Sequence, residues 1–216
     1  MSLPSITAYD IPPLPEHEGG GAEWRFASER GALLIHDMQR YFVRAFPDNS
    51  SPMTEVLSNI ALLLERCRNK GILVVYSAQP GGMTVNQRGL LRDFWGDGMR
   101  VAAEDRQVVP QLMPRNGDIV LDKWRYSAFV SSSLEDILKQ RNIDQLAICG
   151  VYAHIGCLMT AADAYQKDIK PFLIGDAIAD FNQDYHSLAL RYASERCASI
   201  KSTRSLLADI DRFDVV

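Results

Sequence analysis

Short apolar runs rich in branched residues, each closed by a turn signal, alternate along this chain with longer segments of helical period, and few folds accommodate that alternation. The runs at 32–36, 72–77, 119–122, 145–149, 172–175 and 199–202 have the nearly continuous apolar content of strands covered on both faces. Between the first two, Val56, Ile60, Leu63 and Cys67 recur at helical spacing, and Leu57 and Leu64 widen the stripe into a core-facing helix. Further helices are expected near 104–112, 133–141, 155–167 and 184–196, with Ser133, three residues before Asp136, as the expected cap of the second. The pattern predicts an α/β protein: a doubly wound, three-layer α/β/α fold around a six-stranded, mainly parallel sheet.

With 216 residues, 47% of them hydrophobic, the chain suits one domain with a sizeable core, and no internal repeat or domain-breaking linker interrupts it. Pro12, Pro13, Pro15 and the glycines Gly19, Gly20 and Gly21 resist regular structure, so an extended arm is expected over about residues 1–24, wrapping the body or a neighbouring subunit. A formal charge of -4 lacks the basic excess that gathers phosphate backbones or an anionic membrane surface, which argues against nucleic acid and membrane partners. Met1-Ser2-Leu3-Pro4 opens without a basic stretch followed by an apolar core, and no apolar run approaches the roughly 20 residues of a membrane span, so a cytoplasmic protein is expected. The 4 cysteines, Cys67, Cys149, Cys157 and Cys197, lack paired ligand spacing and read as reduced, mostly buried thiols. No glycine-rich phosphate loop is present, and no cofactor is expected.

In open parallel sheets, ligands bind beyond the carboxyl ends of the strands. The first four runs end in Leu33-Leu34-Ile35-His36-Asp37, Tyr76-Ser77-Ala78-Gln79, Leu121-Asp122-Lys123-Trp124-Arg125 and Cys149-Gly150-Val151-Tyr152-Ala153-His154-Ile155-Gly156. A carboxylate, an amide, a lysine and a glycine-punctuated helix start thus converge. An aspartate directly after a buried strand is short of water, which favours its neutral form and makes Asp37 a candidate general acid or base; the other reading is a cap for residues 39–43. Lys123 also reads as a surface lysine and Gln79 as a turn residue. His36 is either an orienting neighbour of the acid or a satisfied structural group, and His154 and His186 are given no catalytic role.

The strings Leu34-Ile35-His36-Asp37-Met38-Gln39, Ala78-Gln79-Pro80, Lys123-Trp124-Arg125-Tyr126-Ser127-Ala128-Phe129 and Gly150-Val151-Tyr152-Ala153-His154-Ile155-Gly156-Cys157 together resemble the isochorismatases of catechol siderophore pathways and the aminodeoxyisochorismate hydrolase of phenazine synthesis. Asp93-Phe94-Trp95-Gly96 and the run from Gly175 to Phe181 extend the likeness, which spans about Pro4 to Leu207. The wider superfamily, similar in fold, includes amide hydrolases that use an Asp, Lys and Cys triad. The resemblance implies that the first strand lies beside the fourth, with Asp37 and Gly156 flanking one crevice. It places the triad's cysteine on Gly156, not on Cys157.

That departure implies a different chemistry, because an amide hydrolase needs a nucleophile and glycine has none. An enol ether can be cleaved by protonating its terminal methylene carbon, which creates an oxocarbenium ion that water captures. The resemblance implies Asp37 as the proton donor with Lys123 beside it, and Gln79, Arg88, Tyr152 and Gly156 as substrate contacts. Trp95 and Phe42 serve as walls or simply pack the core, and Arg88 could equally be a solvated surface charge. The implied substrate is a small chorismate-derived dicarboxylate, so cations at Arg88 and Lys123 and the N–H groups around Gly156 suit it. Lys123 favours the ionised acid, whereas desolvation and incoming carboxylates favour the neutral one, and turnover requires the second to prevail. The superfamily's metal enzymes carry Asp-x-His where this chain has Ser77-Ala78-Gln79, so no metal is expected.

Residues from Gln79 to Leu91 lean toward the phenazine enzyme, although both substrates share the enolpyruvyl ether. One alternative keeps a thiol mechanism on Cys157 against an amide. Another is a non-catalytic role beside an aryl carrier protein; because the sequence ends at Val216, no fused carrier domain is expected, and any docking of a carrier protein would be intermolecular. Relatives are commonly dimers, and a homodimer is expected on that likeness.

Overall fold

A computed structural model of the chain describes residues 3–15 and 24–212. The elements run β1 (Gly31–His36), α1 (Arg40–Val43), α2 (Met53–Asn69), β2 (Leu73–Ala78), α3 (Val85–Arg88), α4 (Leu91–Trp95), α5 (Ala103–Arg106) and β3 (Ile119–Asp122). They continue with α6 (Leu134–Gln140), β4 (Gln145–Val151), α7 (Leu158–Gln166), β5 (Lys170–Ala179), α8 (Gln183–Arg196), β6 (Ser199–Lys201) and α9 (Thr203–Asp211). The strands form one sheet in the order β3-β2-β1-β4-β5-β6, and each adjacent pair is parallel. The order reverses between β1 and β4, where the outgoing chains part and leave a crevice.

Successive strand residues point to opposite faces, and the two faces collect different helices. Leu33, Ile35, Val74, Tyr76, Phe172 and Ile174 pack with Val56, Ile60 and Leu63 of α2 and Leu206 and Ile210 of α9. Ala32, Leu34, Val75, Ile148 and Leu173 pack with Leu134 and Leu138 of α6, Ala161 of α7, and Ala189 and Ala193 of α8. Of the expected α2 stripe, Val56, Ile60 and Leu63 are fully covered, Leu64 and Cys67 are buried, and Leu57 is only partly covered. Among the described residues no helix is long and apolar enough to cross a membrane.

Several expectations need correction. The helix expected at 104–112 is two short pieces, α5 and a single turn at Pro110–Leu112. Tertiary pairing overrides its helical period: Gln39 and Val108 form an antiparallel bridge, and the Val109 N–H donates to the Met38 carbonyl at 3.0 Å. Ser133 occupies the cap position of α6 without a side-chain bond; the hydroxyl of Ser132 instead accepts from the Leu134 N–H at 3.3 Å. The helix expected at 155–167 starts as a wide π turn at Ala153–Cys157 and continues as α7. Helix α9 was not expected, although Ser202 caps it by accepting from the Ser205 N–H at 3.1 Å.

The described part of the arm lies on its own body. Ile6 is buried and its N–H donates to the Ala45 carbonyl at 2.9 Å, and the Tyr9 N–H donates to that of Ser51 at 3.2 Å. The three-glycine stretch at 19–21 lies outside the described residues. Tyr9 also fastens the arm through its hydroxyl, which accepts from the Asp180 N–H at 2.7 Å and meets Nδ1 of His186 at 3.3 Å. Nε2 of His186 donates to the Gly175 carbonyl at 3.0 Å, so the buried ring is satisfied as a neutral group, with the Tyr9 hydroxyl donating to Nδ1.

Burial lowers His186 from 6.5 to about 4, against a smaller opposing influence of the Gly175 carbonyl and Asp180. Between those values the unfolded chain binds a proton that the folded one does not, so stability falls as pH falls through this window and is unaffected by this group above it. His186→Gln is expected to remove about 3 kcal/mol of the stability lost between pH 7 and pH 4, measured by urea denaturation at a series of pH values. Identical pH slopes in the two proteins would contradict this assignment.

Candidate active site

Three adjacent strands deliver the polar centre of the crevice. Asp37 follows β1 with a φ of 50°, a left-handed turn that points its carboxylate back over the strand ends. Its N–H donates to the Ser77 carbonyl at 3.1 Å, and one carboxylate oxygen accepts from the Ser77 hydroxyl of β2 at 2.9 Å. The other oxygen lies 3.0 Å from Nζ of Lys123, which follows β3. Asp37 and Lys123 are only 4% and 3% exposed, so each ion depends on the other for much of what water would have supplied. Nζ of Lys123 also donates to the Arg125 carbonyl at 2.6 Å, which leaves limited freedom for the amine.

A pocket opens over this pair and brings together every residue picked out in the sequence: Asp37, Lys123, Gln79, Arg88, Tyr152, Gly156, Trp95 and Phe42. The segment between β2 and β3 covers it. Thr84 and Gln87 bond reciprocally at 2.9 and 3.2 Å and start α3, whose last residue, Arg88, turns inward and is buried. Arg88 is therefore no solvated surface charge. Its Nε donates to the Gly96 carbonyl at 3.0 Å and its Nη1 to the side-chain oxygen of Gln79 at 3.3 Å. Burial lowers its affinity for the proton from the ordinary value, partly offset by Tyr41 and Tyr126.

The aromatic side is a continuous wall. Phe181, which follows β5 after one intervening residue, lies 4.3 Å from the Tyr152 ring and 5.9 Å from that of Trp95, and Phe42 meets Tyr152 edge-on at 6.1 Å. Phe42 thus both packs the core and lines the pocket. The Tyr152 hydroxyl donates to the Phe42 carbonyl at 3.0 Å, and burial pushes its ionisation far above the usual range, so a ligand meets its ring and not its hydroxyl. Trp95 Nε1 donates to the Tyr126 hydroxyl at 2.8 Å and so ties the cover to the loop after β3.

The N–H groups expected to receive an anion near Gly156 are largely engaged. That of His154 donates to the Asp180 carboxylate at 2.6 Å, and those of Ile155 and Cys157 donate to the Tyr152 carbonyl at 3.2 Å. The cations Arg88 and Lys123 are left as the principal partners for negative charge, joined by Arg125, which also lines the pocket. Cys157 is fully buried among the apolar residues beneath α6, α7 and α8, and burial holds its thiol well above its ordinary value. It does not line the pocket.

The sequence reading leaves several residues of this site without a role: Ser77, Arg125 and Tyr126 lie inside the strings at the strand ends, and Phe181 follows the fifth strand much as Asp37 follows the first. Gln39 was read only as part of a string. Buried, its amide nitrogen donates to the carbonyls of Gln79 at 2.9 Å and Arg106 at 2.8 Å, and its oxygen accepts from the Gln79 N–H at 2.8 Å. It therefore fixes the β2 end and the far end of the cover together.

Comparison with known proteins agrees with this architecture. Residues 31–205 match the isochorismatase domain family, and the chain belongs to that family. It is similar to phenazine biosynthesis protein PhzD1 of Pseudomonas aeruginosa, with 47% identity over 205 residues covering 95% of this chain and 98% of that one. Isochorismatase of Bacillus subtilis is 45% identical over 207 residues, covering 96% of this chain and 66% of that one. Enterobactin synthase component B of Escherichia coli is also 45% identical, covering 96% and 73%. In fold, a cysteine hydrolase from Pseudomonas syringae superposes with a TM-score of 0.79 at 21% identity, covering 91% of this chain and 99% of that one.

Replacing Gln39 by Leu is expected to strand two carbonyls and one N–H and to lower unfolding stability by about 2–4 kcal/mol. Chemical denaturation measures this; a loss within a few tenths of a kcal/mol would show that the three bonds do not hold the cover.

Proposed function

We propose that this protein hydrolyses the enolpyruvyl ether of isochorismate or of 2-amino-2-deoxyisochorismate, releasing pyruvate and a dihydroxy- or amino-hydroxy-cyclohexadiene carboxylate. The observation that carries this reading is a buried carboxyl group, held by Ser77 and Lys123, facing a pocket in which position 156 offers no nucleophile. The names of the relatives, isochorismatase, phenazine biosynthesis protein and enterobactin synthase component, point to the same chemistry.

In this mechanism the ether's terminal methylene carbon takes the proton of Asp37, and the carbon–carbon π pair forms the new C–H bond. The ether oxygen donates into the cation that results. Water adds to the adjacent cationic carbon that bears the ether oxygen and gives a proton back to Asp37; the hemiketal then collapses, its hydroxyl losing a proton to become the pyruvate carbonyl while the C–O pair leaves on the ring oxygen, which takes up that proton as the ring alcohol. Substrate carboxylates drawn to Arg88, Arg125 and Lys123 share the positive field that Lys123 otherwise directs at Asp37. The aromatic wall of Tyr152, Phe181 and Trp95 excludes bulk water from the reacting end.

The thiol alternative fits less well, because Cys157 lies in the core and its sulfur stays protonated. The proposal extends to a single catalytic domain across residues 1–216, a homodimer in the cytoplasm, and any contact with a carrier protein made between separate chains. Sedimentation measures the oligomeric state.

A pyruvate-release assay with both substrates side by side tests the reaction. Asp37→Asn is expected to lower kcat by about 10²–10⁴-fold. Cys157→Ala is expected to retain turnover. Turnover that survives Asp37→Asn would overturn the acid's role.

A further inference from the structure

His36 stands between the acid and the helix start, and two glycines meet it. A Cβ on Gly150, whose φ is 115°, would overlap the His36 carbonyl oxygen and lie 2.9 Å from its nitrogen and carbonyl carbon. A Cβ on Gly156 would overlap Cε1 of the imidazole and lie 2.8 Å from each ring nitrogen. The ring cannot simply turn aside. Its Nδ1 lies 2.8 Å from the Val151 carbonyl and its Nε2 3.3 Å from that of Tyr126, so one side chain spans from the β4 end to the loop after β3. It is buried, and burial is the largest influence keeping it neutral.

We propose that His36 is a specificity-determining positioning residue: its imidazole fills the space that a side chain at position 156 would need, and so keeps that side of the crevice bare. The backbone at 156 then forms pocket wall within the same cavity as Asp37 and Lys123, and the reacting end of a substrate can settle against it. A neutral ring carries one N–H, so it donates to the nearer Val151 carbonyl and only packs against the Tyr126 carbonyl, which holds the ring over position 156. The consequence for catalysis rests on the enol-ether reading above, whereas the packing relation between residues 36 and 156 does not.

A double-mutant cycle tests this. Wild type, Gly156→Ala, His36→Ala and the double variant are compared by thermal melting and by steady-state pyruvate release, with isochorismate and its 2-amino analogue as probes. Gly156→Ala is expected to lower kcat by about tenfold or more when His36 is present and by no more than about twofold in the His36→Ala background, with the same coupling in melting temperature. His36→Ala alone is expected to lower kcat by about tenfold with KM within about threefold, and His36→Asn, which keeps a donor for the Val151 carbonyl, to recover most of it. A Gly156→Ala protein that fails to fold while the double variant folds supports the proposal in its strongest form. Equal costs of Gly156→Ala in both backgrounds, in melting and in kcat, overturn it. If no protein in the set releases pyruvate, the functional reading fails, and the melting temperatures alone decide the packing relation: coupled for, additive against.

Discussion

A carboxylate and an ammonium group stand 3.0 Å apart with almost no access to water, and much of the surrounding structure keeps them there. Neither ion could remain at this site alone, because an unpaired buried charge costs several kcal/mol. The sheet solves the placement: β3, β2 and β1 are neighbours, and their carboxyl ends supply Lys123, Ser77 and Asp37 in spatial sequence. The fourth strand, on the far side of β1, brings Gly156 against His36. The site is thus a property of strand order, not of any one loop.

The same pair explains why the cover matters. An anionic ligand in the pocket meets Arg88 and Arg125 as well as Lys123, so its charge shares the field that Lys123 otherwise directs at Asp37. Arg88 and Trp95 come from short helices between β2 and β3, and Gln39, from the β1 end, bonds both the start and the far end of that segment. In the proposed reaction, substrate charge, cover and Asp37 therefore act as one unit.

Much of this was legible in the residues, for a physical reason. Buried parallel strands have to be apolar along their length, and the first polar residue beyond each must face the crevice, which is why Asp37, Gln79 and Lys123 were found. The stripe of α2 was equally plain. What was missed depends on distance in sequence. Nothing in the neighbourhood of Gln39 announces bonds to residues 79 and 106, and the period at 104–112 looks helical until Val108 pairs with Gln39 and Val109 bonds to Met38. The π turn at Ala153–Cys157 and the engagement of its N–H groups were likewise invisible, so an anion-binding helix start was expected where those donors are already used. Gly156 was read as the absence of a nucleophile; the structure adds that His36 leaves no room for any side chain there.

The central claim is that protonation at the terminal methylene carbon, followed by water capture at the adjacent carbon that bears the ether oxygen, breaks the bond on the pyruvate side. Hydrolysis in heavy-oxygen water, with pyruvate reduced to lactate as it forms to prevent exchange, tests that claim most directly. The account predicts that the ring product's new hydroxyl keeps the ordinary oxygen of the ether and that the heavy atom enters pyruvate. Heavy oxygen in the ring hydroxyl would mean attack at the ring carbon and would contradict the account.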